Sequence, residues 1–137
     1  MARNSGRYLE EAIANELGRN TDITRHWRRL QDTHAARNYI VAQPADFELC
    51  VEGKGMLLEA KSQRGKTTRL KKFSQLPEML RWAAAGKKGY CLVHFYELGE
   101  DLIVVDVEDL EVGKPSWVLG GVKVPDVKAA LEVMGWS

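Results

Sequence analysis

The chain has 137 residues, 45% of them hydrophobic and 28% charged, with 20 Lys and Arg against 19 Asp and Glu for a net charge of +1. This composition predicts one folded domain over residues 1–137, with a core that needs neither disulfides nor a structural metal, and it excludes disorder. No apolar run approaches the ~20 residues of a membrane span, and the first residues lack the apolar stretch of a signal peptide. A cytoplasmic protein is therefore expected (in the host cytoplasm if the source is viral), with Cys50 and Cys91 as reduced core residues.

Residues 6–18 predict a helix, because Leu9, Ile13 and Leu17 recur on one face, with Asn4 or Ser5 as its cap and Gly18 at its end. Residues 23–28 alternate and read as a strand. Residues 30–45 have no period and read as a loop ending at Pro44. Residues 46–51 and 56–62 read as a hairpin around the turn composition Glu52-Gly53-Lys54-Gly55. A basic polar connection covers 63–72. A helix follows over 73–85, capped by Ser74, with Pro77 tolerated in its first turn and Gly86 at its end. Residues 90–96 and 102–107 form a second hairpin, and 126–134 a last short helix. The order αβββαββα is an α/β fold, a mixed sheet flanked by helices rather than a regular βαβ repeat.

Chemistry concentrates in Pro44-Ala45-Asp46 and Glu59-Ala60-Lys61. In a strand, Glu59 and Lys61 share a face with Leu57, while Met56, Leu58 and Ala60 form the other, core-like face. A four-residue turn at 52–55 would pair Val51 with Met56. Glu48 would then oppose Glu59, and Asp46 would oppose Lys61. A one-residue slip would remove Asp46 from that face. Two carboxylates and an ammonium on one patch suit a hard cation such as Mg²⁺ and phosphodiester hydrolysis. The competing reading is a surface hairpin with alternating charges in weak cross-strand pairs.

The motif Pro44-Ala45-Asp46…Glu59-Ala60-Lys61 on adjacent strands resembles the PD-(D/E)XK nuclease superfamily. Gly6-Arg7-Tyr8-Leu9-Glu10, opening the first helix, is similar to the start of Holliday junction resolvases of the archaeal and RecU kinds. Leu57-Leu58-Glu59-Ala60-Lys61-Ser62, Lys72-Phe73-Ser74-Gln75 and the strand at 89–96 follow in the same order. The absence of an evident stalk insertion makes the archaeal build closer.

The resemblance implies metal ligands at Asp46 and Glu59, with the Ala60 carbonyl and the helix carboxylate Glu10 completing the set. It implies Lys61 as the catalytic lysine and Gln75 near the metal or the scissile phosphate. Thr33 would be the hydroxyl residue of the loop before the aspartate. The cofactor would be Mg²⁺, with Mn²⁺ substituting. The implied protein is a homodimer that makes paired symmetric nicks in four-way DNA junctions during recombination and repair. Alternatives are another DNA endonuclease of the superfamily (restriction, repair or replication-linked), or a catalytically inactive DNA-binding module. Glu48 and His34 are expected to be bystanders, and the four tryptophans core or interface residues.

The small net charge hides an arrangement. Residues 38–60 are net −3, residues 61–89 carry nine basic and one acidic side chain, and residues 90–137 are net −6. The basic stretch begins at Lys61 and holds Arg64, Lys66, Arg69, Lys71 and Lys72, an expected phosphate track beside an acidic pocket.

Overall fold

The computed structural model describes residues 6–30, 43–65, 67–69, 75–110, 116–118 and 121–136. Helix α1 (Gly6–Leu17) leads into β1 (Arg25–Arg29), β2 (Phe47–Val51), β3 (Lys54–Gln63) and a short β4 (Thr67–Arg69). Then come α2 (Leu76–Ala84), β5 (Lys88–Phe95), β6 (Leu102–Asp106), a 3-10 turn at Val107–Asp109, β7 (Ser116–Val118), β8 (Val122–Val124) and α3 (Val127–Met134). Six strands form one sheet in the order β1-β2-β3-β5-β6-β8. Only β3 and β5 run parallel within it, joined by the crossover that contains α2.

The expected mixed α/β architecture is therefore present, and the sheet is buried on both faces. On one side Leu9, Ile13 and Leu17 of α1 join Leu131 and Met134 of α3 over Phe47, Met56, Leu58, Ala60 and Leu92. On the other, Leu76 and Met79 of α2 cover Leu57, Cys91, Val93, Ile103 and Val105. The face of β3 that the alternation reads as polar is thus a second core surface, with Leu57 at 2% exposure. Among the described residues no helix is long and apolar enough to cross a membrane.

Several boundaries differ from expectation for local reasons. Residues 23 and 24 turn instead of starting β1 at Ile23: the Asp22 carboxylate accepts from the Thr24 amide (2.8 Å) and hydroxyl (2.6 Å), and such local bonds compete with a strand. Ile23 is left fully exposed. The β2–β3 hairpin closes in two residues, not four. Val51 pairs with Lys54, and Glu52 and Gly53 both take positive φ, 50° and 85°. This is the mirror-image turn whose twist matches a tight hairpin.

Strands β4 and β7, absent from the predicted order, pair in a separate two-stranded sheet. Helix α2 begins three residues later than expected, with Gln75 as its N-cap residue and Pro77 in the first turn. The expected caps Asn4, Ser5 and Ser74 lie outside the described residues, as does most of the 30–45 loop. Helix α3 has Asp126 accepting from the Ala129 amide at 2.8 Å and a left-handed Gly135 at its end. Cys91 is buried as expected, but Cys50 is exposed, because it belongs to neither core cluster.

Candidate active site

The two-residue turn shifts the hairpin register by two positions, which preserves faces. Glu48 lies across from Leu57, not Glu59, and Phe47 across from Leu58. One residue beyond that pair, Asp46 meets Glu59 rather than Lys61, with the Asp46 amide donating to the Leu58 carbonyl at 3.2 Å. The strand pairing ends there. The next buried donor on β3, the Ala60 amide, is taken by the Asp46 carboxylate, Oδ2 at 2.9 Å. Asp46 therefore completes the ladder with its side chain, satisfying an N–H that would otherwise be orphaned.

Glu59 is only 3% exposed. Its Oε1 has no hydrogen-bond partner, and its Oε2 lies 3.8 Å from Lys61 Nζ. Burial, and then the neighbouring Asp46 charge, push its carboxyl up to about 8, and it shares a side-chain hydrogen bond with Asp46. Burial also raises the Asp46 carboxyl, against the Ala60 amide and the charges of Lys61 and Arg29. Two carboxyl groups are thus confined together beside Lys61, with one buried oxygen left without a partner. Hard oxygen donors in that state fit a divalent cation. Cys91, paired with Glu59 across β5, is held as a thiol by its burial.

The other expected residues fall around this pair unequally. Helix α1 packs on the opposite face, and Glu10 at its start is half-buried and hydrogen-bonded by Arg29 Nη2 at 3.2 Å. Its charge still contributes to the raised Glu59 carboxyl. Among the described residues no three His, Cys, Asp or Glu side chains converge closely enough to hold a metal ion together. Asp46 and Glu59 are brought together; Glu10 is paired with Arg29 instead and forms no cluster with them. Gln75 stands half-buried at the start of α2, the helix covering the Glu59 face, and makes no side-chain capping bond.

Arg64 follows the end of β3 and donates Nε to the Tyr96 hydroxyl at 3.1 Å. Arg69 lies on β4, opposite Ser116. Thr33, His34, Lys66, Lys71 and Lys72 lie outside the described residues. Glu48 is engaged elsewhere, with Arg28 at 2.8 Å and with Lys87. Those partners hold its carboxyl below the usual range. Trp136 is core and Trp27 packs against the core beside Phe47, whereas Trp82 is 40% exposed under the Lys87 ammonium. The sequence gives no signal for Arg29, whose two partners lie 18 and 19 residues upstream on another element.

The chain is a three-layer sandwich in which Asp46, Glu59 and Lys61 gather at one end of the β2–β3 hairpin. The structure is similar to that of Archaeoglobus fulgidus Hjc, a Holliday junction resolvase from an archaeal hyperthermophile. The TM-score is 0.56 at 13% sequence identity, over 93% of this chain and 92% of that one. At that identity the likeness is one of fold. No protein-family model matches the sequence, and no curated protein does.

Proposed function

We propose that the protein is a metal-dependent, structure-selective endodeoxyribonuclease that resolves four-way DNA junctions. The observation that carries this reading is the buried Glu59 carboxyl, with its unpartnered Oε1, beside the half-buried Asp46 and Lys61. A merely structural hairpin has no use for such a pair: an uncompensated buried carboxylate costs stability. The fold shared with the archaeal resolvase and the basic stretch that starts at Lys61 support the choice of substrate.

Asp46 and Glu59 would hold Mg²⁺ or Mn²⁺ with the Ala60 carbonyl, and Glu10 would supply a further carboxylate. When bound, such a cation lowers the pKa of a coordinated water and stabilises charge on the phosphoryl oxygens. Lys61 lies beside the pair, and its role is to offset charge that develops on the phosphate in the transition state. Burial excludes bulk water around Glu59 and strengthens both effects. Gln75 orients groups near the phosphate from the start of α2. Thr33, Arg64, Lys66, Arg69, Lys71 and Lys72 hold the DNA backbone, so recognition follows junction shape and phosphates more than base edges. Two copies of the chain, as a homodimer, place two sites on one junction and give paired nicks.

The test is cleavage of a labelled four-way junction, with and without Mg²⁺, by wild type and Asp46→Asn. Mg²⁺-dependent paired nicks by wild type alone are expected. Equal cleavage of linear duplex would reassign the enzyme to another DNA substrate, and no cleavage of any branched DNA would leave a binding module.

A further inference from the structure

Arg29 closes β1 and belongs to neither motif strand, yet its guanidinium ties three parts of the site together. Nη1 bonds Glu11 at 3.0 Å and Nη2 bonds Glu10 at 3.2 Å. The same group lies 5.8 Å from the centroid of the Phe47 ring, next in sequence to Asp46. Its charge favours the ionised form of Asp46. The next residue, Leu30, donates its amide to the Asp46 carbonyl at 2.8 Å, which anchors the end of β1 to the motif aspartate.

The position of Glu10 gives this arrangement its meaning. Its charge is felt at Glu59, yet it does not converge with Asp46 and Glu59 into a three-carboxylate cluster. One of its oxygens, Oε1, accepts from Arg29. The Arg29 side chain is 37% exposed, open to a phosphate arriving along the duplex. A guanidinium binds phosphate oxygens with the same fork it offers to carboxylates. Exchanging one for the other changes the partner without leaving a donor unmet.

We infer that Arg29 is a positioning residue: it latches Glu10 in the DNA-free protein and releases it when a DNA backbone phosphate takes the guanidinium. This rests on the metal-dependent reading of the Asp46–Glu59 pair. The freed Glu10 then joins that pair as a third carboxylate, so the full ligand set forms only where a phosphate is present. DNA and the cation tighten each other's binding by the same factor, as linkage requires.

The experiment measures Mn²⁺ affinity by EPR of the free ion, with and without a phosphorothioate-substituted four-way junction, which slows cleavage. In wild type, the junction should tighten Mn²⁺ by about fivefold or more. Arg29→Gln should bind Mn²⁺ about threefold or more tightly than wild type without DNA, and show a smaller gain on adding DNA, because repulsion and latch are both removed. Arg29→Lys, which keeps the charge but not the fork, guards against a folding defect and should fall between the two. Weaker Mn²⁺ binding by folded Arg29→Gln, or an unchanged DNA gain, overturns the latch while leaving the metal site standing. No Mn²⁺ binding by wild type in either condition overturns the metal site and the latch with it.

Discussion

Asp46 has a structural task besides the chemical one proposed for it. Its carboxylate substitutes for the strand partner that β3 loses at Ala60, so its replacements separate the two tasks. Asp46→Asn keeps an acceptor oxygen for the Ala60 amide and removes the charge. It should fold normally, bind junctions and fail to cleave. Asp46→Ala removes the acceptor too, and should cost about 1–3 kcal/mol in a urea titration, the usual penalty for a buried unpaired amide. Equal stability of the two variants would show that the Ala60 bond contributes nothing. Glu59 carries the opposite sign. Its ordinary value is 4.5 and burial lifts it to about 8, so between those values the folded chain holds a proton that the unfolded chain has released. Stability therefore falls as pH rises through that window and levels off above it. Glu48, whose carboxyl is held down by Lys87 and Arg28, changes stability only below the ordinary carboxylate range and does not overlap. Thermal melts in chelator from pH 5 to 9 should show the wild type losing stability, on the order of a few kcal/mol, while Glu59→Gln stays flat. A wild-type melting temperature that rises across the window would contradict the burial of Glu59.

At the scale of elements, the hairpin explains how much of the site was legible. The Asp46 and Glu59-x-Lys61 motif, its strands and the shared face follow from alternation and from turn residues at 52–55. The register does not, because four turn-forming residues in a row permit a two- or a four-residue loop. The chain takes the tighter one, and since the difference is even, the cluster survives with different partners. What alternation could not reveal is that both faces of β3 are covered: Leu57 and Glu59 read as polar-side residues until α2 is laid over them. Arg29 was equally hidden, since its partnership is made by tertiary packing of α1 against the end of β1. The tight turn also has a cost that can be relieved. Glu52 adopts φ of 50°, a left-handed backbone unfavourable for a glutamate. Glu52→Asn places the preferred Asn-Gly pair in the turn and should raise stability by about 0.5–1 kcal/mol. Cleavage should be unchanged, because the register stays the same. A loss of stability on denaturant titration would refute this account of the turn.

For the whole molecule, the near-zero net charge is the sum of segments that the fold brings back into contact. The β4 strand belongs to the +8 segment and β7 to the −6 segment, and they pair with Thr68 opposite Trp117 and Arg69 opposite Ser116. The basic connection is thus tied by its backbone to the acidic C-terminal third, outside the main sheet. It leaves β3 at the same end as Lys61, so a duplex bound to it as proposed would meet the Asp46–Glu59 pair. Each phosphate contact removed should lower the slope of log affinity against log salt by about 0.9. Neutralising Arg64, Lys66, Arg69, Lys71 and Lys72 together should therefore flatten that slope by up to about 4.5 and weaken all junction sequences alike. Binding titrations over a salt series check this. A slope that stays at the wild-type value would remove the basic connection from the DNA path and move the phosphate contacts to other basic residues, Arg28 and Arg29 of β1 first among them.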